Sequence, residues 1–327
     1  MPHLTDRAFA ARPLLAGLTT TVPREYVHRA AVSEVLLTGW EQDESALQAD
    51  RDSHDGPGRC DGFVVKAQWP RSHALFAPDE GYQDPMLLIE SVRQIGSLLA
   101  HAEFDVPFGH QFLMYDMSVT IEPELLVTDA VPTDVEMHTV CRDIVSRAGL
   151  LQKMRYDVTV LRENGARATA SAAFRCMSPG VYRRLRGERP TTTDRTPPPA
   201  LDPAAVRHHV ARHVVLGEPA PGTRSRWELR VDTAHPTYFD HPVDHIPGMF
   251  LLEAARQAAY ARTGLPRALL LGITSKFTRY AELDAPCWIT AEPEPYGLDG
   301  DLLVRVRGSQ REESVFTAEL LLRPRVR

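Results

Sequence analysis

At 327 residues the chain is too long for one ordinary core and suits two domains of roughly 150 residues each. Its hydrophobic share of 43% and charged share of 24% are those of a globular protein, which sets disorder aside. A net charge of −6 and a pI near 6.1 exclude a general nucleic-acid binder, while local arginine clusters can still hold a small anion.

Residues 1–26 read as an N-terminal extension. Their longest apolar run, Pro13-Leu14-Leu15-Ala16-Gly17-Leu18, is short and follows Asp6, Arg7 and Arg12, so no secretory signal is expected. No later stretch approaches the ~20 apolar residues that span a bilayer. A cytoplasmic protein without membrane attachment is the expectation. Cys60, Cys141, Cys176 and Cys287 lie far apart with no Cys-x-x-Cys spacing, which predicts reduced thiols rather than zinc or disulfides.

A first domain is expected over 27–178. It opens with the apolar stretch Val32-Ser33-Glu34-Val35-Leu36-Leu37-Thr38-Gly39, followed by a charged, Gly-containing loop over 42–61 and an alternating strand over 63–69. A helix is predicted over 84–104, where Leu87, Leu88, Val92, Ile95, Leu98 and Leu99 recur at helical spacing. Strands are predicted over 111–121, 134–144, 151–162 and 166–177 from their Thr, Val and aromatic content. Glu163-Asn164-Gly165 reads as a hairpin turn, because Asn-Gly tolerates positive φ.

The stretch 179–205 carries Arg183-Arg184-Leu185-Arg186 and then a Pro/Thr-rich run ending in Pro197-Pro198-Pro199. Consecutive prolines remove donors and favour an extended backbone, so a semi-rigid exposed linker is expected. A second domain over 206–327 repeats the pattern: a short strand over 227–231, a helix over 247–264, and strands over 275–281, 287–293, 301–308 and 313–323. One helix wrapped by a curved antiparallel sheet, twice over, is a tandem hotdog fold of the α+β class.

The repeat is also visible residue by residue. Pro85-Met86-Leu87-Leu88-Ile89-Glu90-Ser91-Val92-Arg93-Gln94 answers Gly248-Met249-Phe250-Leu251-Leu252-Glu253-Ala254-Ala255-Arg256-Gln257, an offset of 163 residues from Glu90 to Glu253. His73-Ala74-Leu75-Phe76 answers His235-Pro236-Thr237-Tyr238 at 162. Farther upstream Val32 to Gly39 resembles Val210 to Gly217 at 178, a larger offset than the helices give. The helix repeat is therefore taken as the guide.

A carboxylate inside an apolar helical run is costly unless paired or used. Glu90 and Glu253 each carry an arginine at i+3 (Arg93, Arg256) and a glutamine at i+4 (Gln94, Gln257), so each trio can share a face. Ile246-Pro247-Gly248 places Pro and Gly where the second helix begins, leaving N–H groups able to hold an oxyanion. Asp84-Pro85 at the first helix is a capped start without that glycine, which makes the second half the better catalytic candidate. The loop His241-Pro242-Val243-Asp244-His245, with His235 and Asp240, offers capping residues, a substrate-orienting histidine or a metal ligand set, of which the metal is the least supported. His209 and His213 are expected on a strand in a structural role. No Gly-x-Ser-x-Gly elbow, Walker loop or dinucleotide fingerprint occurs, so no cofactor is expected. Lys276 and Arg279 join Arg93 and Arg256 as candidate phosphate clamps.

The segment Phe239-Asp240-His241-Pro242-Val243-Asp244-His245-Ile246-Pro247-Gly248-Met249-Phe250-Leu251-Leu252-Glu253-Ala254 resembles the active-site segment of β-hydroxyacyl-carrier-protein dehydratases, with Glu253 at the acidic position and His241 nearest to the histidine. The whole of 27–324 is closer to another family. Val27-His28-Arg29, Val32 to Thr38, the doubled Glu-x-x-Arg-Gln helices and the tandem length resemble the A-factor (γ-butyrolactone autoregulator) biosynthesis proteins. That resemblance implies an acyltransferase joining a β-ketoacyl group from acyl carrier protein to a hydroxyl of dihydroxyacetone phosphate. The ester would cyclise to a phosphorylated butenolide on the way to a hormone that controls antibiotic production. It points to Glu90, Glu253 and Arg256, with Arg93 as repeat partner. On this reading Glu253 is the base, its pKa raised by apolar surroundings, near the Gly248 amide. Thioester hydrolysis, dehydration and non-catalytic acyl-ligand binding are the alternatives, and fold alone does not choose among them. Tandem fusion makes a monomer or a homodimer equally compatible with the chain.

Overall fold

The period-two strands and period-3.6 helices read from the sequence form within a computed structural model that describes residues 19–43, 61–265, 267–297 and 300–325. The run 13–18, most of the charged stretch 42–61 and Cys60 lie outside the described residues. Among the described residues three α-helices form: α1 (Pro85–Ala102), α2 (Pro179–Arg186) and α3 (Gly248–Thr263). On α1, residues Met86 to Ile89, Val92, Ile95, Leu98 and Leu99 are all buried, along with Glu90, Ser91 and Gln94. Burial right round the cylinder marks a helix enclosed by sheet rather than lying on it. None of the described helices is long and apolar enough to cross a membrane.

The strands are β1 (Leu37–Gln42), β2 (Asp61–Trp69), β3 (Gln111–Ile121), β4 (Thr133–Arg147), β5 (Leu150–Leu161) and β6 (Arg167–Met177) in the first half. The second half holds β7 (Leu216–Pro219), β8 (Arg226–Leu229), β9 (Ala268–Phe277), β10 (Cys287–Tyr296), β11 (Asp301–Gln310) and β12 (Glu313–Pro324). All pair antiparallel in one sheet of order β1-β2-β4-β5-β6-β3-β9-β12-β11-β10-β8-β7. The order reads alike from either end, so the halves are related by an approximate two-fold at the β3–β9 seam. There Asp116 pairs with Lys276 and Thr120 with Gly272. This is a tandem hotdog fold.

Four local expectations need correction. First, β9 begins seven residues earlier than predicted, at Ala268. Ala268 to Leu271 are buried on both faces of a central strand, so they show an unbroken apolar run instead of alternation. Second, Val32–Glu34 and Ala211–His213 are short 3-10 turns, not strand, and His213 sits in the second of them. Third, the upstream repeat is real but shifted by one residue. Leu36 N donates to Gln94 and Val215 N donates to Gln257, an offset of 179. Matching glycine to glycine had slipped one position along two similar apolar strands, the error to which period-two segments are prone. The fall from 179 to 163 at the helices is sixteen residues of chain that the second half lacks. The first-half interval includes 44–60.

Fourth, the stretch expected to be an exposed extended linker is neither wholly extended nor loose. Ser178 caps α2 by accepting from Val181 N at 3.4 Å, and Arg186 is buried. Beyond it the prolines use their carbonyls: Pro199 O accepts from Glu218 N at 3.2 Å and Pro198 O from Arg230 at 3.1 Å. Polyproline cannot donate, but it can cover the open edge of β7, a strand that would otherwise present unpaired backbone.

Candidate active site

Each enclosed helix turns a glutamate toward a bracket of donors. Glu90 accepts from Arg93 Nε and Nη2 at 2.8 and 2.7 Å, from Gln94 at 2.7 Å and from Arg29 Nε at 3.0 Å. Glu253 accepts from Arg256 Nε at 2.9 Å, from Gln257 at 2.7 Å and from His208 Nε2 at 2.9 Å. The glutamines are fully engaged. Gln94 also donates to Glu34 O while accepting from Leu36 N, and Gln257 donates to His213 O while accepting from Val215 N. With both amide protons and the amide oxygen engaged, Gln94 and Gln257 hold the upstream chain against the helix and have no N–H left to donate to substrate.

Burial by itself would raise both glutamate pKa values. The opposing charges win: Arg29 and Arg93 pull Glu90 down to about 2, and Arg256 with His208 pulls Glu253 to about 2. The expected raised pKa of Glu253 is therefore overturned, because its apolar helix face is answered by a guanidinium and an imidazole. A carboxylate this stable is a poor proton acceptor at neutral pH.

Acid lability follows from these shifts. A carboxylate with a depressed folded pKa stabilises the fold above its unfolded value and loses that contribution as pH falls toward the folded value. Glu90 and Glu253 therefore destabilise the fold between about pH 4.5 and 2. Burial also pushes His28 down to about 3 and His235 to about 4, so both stay neutral in the fold while the unfolded chain protonates below about 6.5. Denaturation midpoints are expected to fall from near pH 6.5 downward and more steeply below 4.5. A flat profile between pH 7 and 4 would contradict this account.

The two helix N-termini differ. At α1, Asp84 Oδ1 accepts from Met86 N at 2.8 Å and Oδ2 takes Arg256 Nη1 at 2.7 Å, so that end is closed by a side chain and an ion pair. At α3, Pro247 offers no side-chain cap, and Gly248 at the first position is partly accessible. Open N–H groups at a helix start form a ready anion site.

That open end faces a cavity of about 240 Å³ between the halves. Arg29 and Arg93 from the Glu90 bracket line it, together with His28, His241, His245 and Arg279. Its apolar walls include Phe112, Met114, Phe174, Leu251, Leu252 and Phe277. His241 Nδ1 lies 2.5 Å from Asp240 Oδ1, and Asp240 is itself held by Ala30 N at 2.8 Å. A carboxylate on Nδ1 fixes the tautomer and leaves Nε2 to accept a proton. His245 is paired in the same way, with Nδ1 2.8 Å from Asp244 Oδ1. Deeper in, His101 Nδ1 is 2.6 Å from the Val106 carbonyl and must carry the proton, so its Nε2 accepts from His28 Nε2 at 2.7 Å.

Sequence reasoning placed Gly248 and Glu253 in one site, and the structure separates them. Gly248 shares its cavity with Arg93 and His241, whereas Arg256 lines a second cavity of about 190 Å³ with Asp84, His208 and His213. Arg256 is committed to Glu253 and Asp84 and cannot clamp a phosphate beside Gly248. Lys276 is exposed on β9 and lines neither cavity, whereas Arg279 lines the first and pairs with Glu313 at 3.0 Å. Arg29 enters the sequence reading only within the family resemblance and His208 not at all, although the upstream repeat places them at equivalent positions, 179 apart. His209 and His213 border the second cavity rather than filling a strand.

A family profile described as the A-factor biosynthesis hotdog domain matches residues 10–178 and 190–324. A 2-oxo-3-(phosphooxy)propyl 3-oxoalkanoate synthase of Streptomyces virginiae is 48% identical over 301 residues, 92% of this chain and 97% of that protein. Proteins of the same name from Streptomyces griseus and Streptomyces coelicolor are 40% identical over 263 residues and 38% over 302. These cover 80% and 91% of this chain, and 86% and 90% of theirs. Among solved structures, a 12:0-ACP thioesterase from Umbellularia californica superposes with a TM-score of 0.52 at 10% identity, covering 86% of this chain and all of that one. At such identity the likeness concerns the fold alone.

Proposed function

The chain belongs to the A-factor biosynthesis hotdog family, and from that premise we infer that it is an acyltransferase that esterifies dihydroxyacetone phosphate with a 3-oxoacyl group. The shared name of relatives covering most of the chain describes such an ester, a 3-oxoalkanoate of a phosphorylated hydroxyketone. The observation that carries the reading at the level of the site is one cavity holding an open helix N-terminus, a carboxylate-backed imidazole, an arginine at its rim and apolar walls. The second cavity has a closed helix end and an arginine paired with two carboxylates, and we assign it a supporting role.

In this assignment the donor is a thioester on acyl carrier protein, and its acyl chain lies along Phe112, Phe174 and Leu252. The carbonyl oxygen meets the amides of Gly248 and Met249, where negative charge develops during attack. His241 Nε2 removes the hydroxyl proton from dihydroxyacetone phosphate, whose oxygen forms the new C–O bond as the C–S bond breaks. The proton then passes to the departing thiolate. Arg93 keeps Nη1 free of hydrogen bonds among the described residues and, with Arg279 nearby, holds the phosphate. Glu90 orients Arg29 and Arg93 and does not touch the reacting atoms. The released ester can cyclise by an intramolecular aldol-type condensation to a phosphorylated butenolide.

Mass spectrometry of purified protein with a 3-oxoacyl thioester, with and without dihydroxyacetone phosphate, tests the activity. A phosphorylated ester or butenolide is expected only with both substrates. Free acid or an unsaturated thioester formed without the phosphate would replace this reading with hydrolysis or dehydration. For the phosphate contact, Arg93→Met is expected to raise KM for dihydroxyacetone phosphate about tenfold or more with kcat changed far less. An unchanged KM would remove Arg93 from the binding site.

A further inference from the structure

Helix α2 has two faces with different commitments. Its inner face is bonded to the wall of the first cavity. Tyr182 donates to Asp244 Oδ1 at 2.6 Å, and Arg186 makes a bidentate pair with Glu282 at 2.6 and 2.9 Å. Arg186 also donates to Asp244 O at 3.1 Å and lies 4.0 Å over the Tyr280 ring. Asp244 is the partner of His245, and both His245 and Tyr280 line the cavity that receives Gly248. The helix is therefore fixed beside the active-site entrance.

Its outer face presents Val181, Arg183, Arg184 and Leu185, all exposed, with Leu185 62% accessible. Phe108, another exposed apolar side chain at 62%, lies on the loop whose Gly109 approaches Pro179 at the start of the helix. Several surface arginines are neutralised by carboxylates, among them Arg195 with Glu228, Arg279 with Glu313, Arg305 with Glu319 and Arg311 with Asp284. Arg183 and Arg184 have no such partner among the described residues. On a chain of net charge −6, two unmatched arginines between exposed aliphatic side chains form a local positive patch with an apolar centre. That composition suits an acidic protein surface: the charges steer the encounter and the apolar groups hold it.

We propose that the outer face of α2, with Arg183, Arg184, Val181 and Leu185, is the docking surface for an acidic acyl carrier protein that delivers its thioester arm into the adjacent cavity. The proposal rests on the acyl-transfer reading of that cavity. The fold gives the location a purpose: the helix that binds the carrier is the one that braces the wall bearing His245.

The test compares two donors carrying the same 3-oxoacyl group, one on a carrier protein and one on a short pantetheine thiol, with wild type and the double variant R183E/R184E. The variant is expected to raise KM for the carrier-bound donor on the order of tenfold and to leave kinetics with the short thioester unchanged. Wild-type KM for the carrier should rise with ionic strength, and the variant's should rise less. Both side chains are exposed, so the melting temperature should not move. Equal behaviour of the variant and wild type toward the carrier, or an equal loss toward both donors, would overturn the proposal. Direct titration of the protein with carrier separates the two readings. Carrier binding that R183E/R184E abolishes upholds the surface even where no transfer to the phosphate is seen, and binding unaffected by the variant rejects it.

Discussion

Replacing His241 with asparagine is expected to lower turnover by about two to four orders of magnitude, the range over which a positioned general base acts. Asparagine can still donate to Asp240, so the loop keeps its anchor while the proton acceptor at Nε2 disappears. The side chain is 44% accessible, and its loss should leave the melting temperature within a degree or so of wild type. The change should fall on kcat, with KM for both substrates little altered, because the proton moves only during attack. Asp240→Asn should cost more than activity: Asp240 also receives Ala30 N at 2.8 Å and faces Arg29 at 3.8 Å, so the approach of the upstream chain would loosen. If H241N kept more than a tenth of wild-type turnover, the base would have to be sought elsewhere in the cavity.

The second large effect separates the two glutamates. Glu253→Gln is expected to destabilise the protein by about 3–5 kcal/mol, since Arg256 is buried against that carboxylate and a neutral amide cannot balance its charge. Asp84 remains beside Arg256, which places the loss toward the lower end. Protein that stays folded at low temperature should retain transfer within a few-fold, because Glu253 belongs to the bracket of the second cavity. Glu90→Gln should be destabilising to a similar degree and should also weaken binding of dihydroxyacetone phosphate, because Arg29 and Arg93 lose the carboxylate that aims them. Urea denaturation and steady-state kinetics on both variants make the comparison. Abolished turnover in E253Q at unchanged stability would restore Glu253 as the base and return the chemistry to the second half.

Much of this was legible in the chain. The Glu-x-x-Arg-Gln repeat at 163 residues marks two equivalent helices, and Asn164-Gly165 marks a hairpin whose glycine has φ +84°. The uncapped start at Pro247-Gly248 and the capped start at Asp84-Pro85 can be told apart by residue type alone. What the sequence could not express is which glutamate each helix end meets. Neighbours along one helix, such as Gly248 and Glu253, look like natural partners, yet the cavity at Gly248 is completed by Arg29 and Arg93 from the other half. That pairing depends on how two enclosed helices pass one another. The depressed glutamate pKa values were hidden for a related reason. Arg29 and His208 reach their carboxylates from 61 and 45 residues upstream, a distance over which an apolar helical context gives no warning.

A pair of identical subunits receives every substitution twice, so a change that opens one helix end opens the other. Here the two ends are encoded separately. Asp84 could bolt one half to Arg256, and the path into α3 could shorten by sixteen residues, without either change being copied across the approximate two-fold. Once the symmetry no longer had to be obeyed, one of two inherited clefts could become a keystone while its twin remained a doorway.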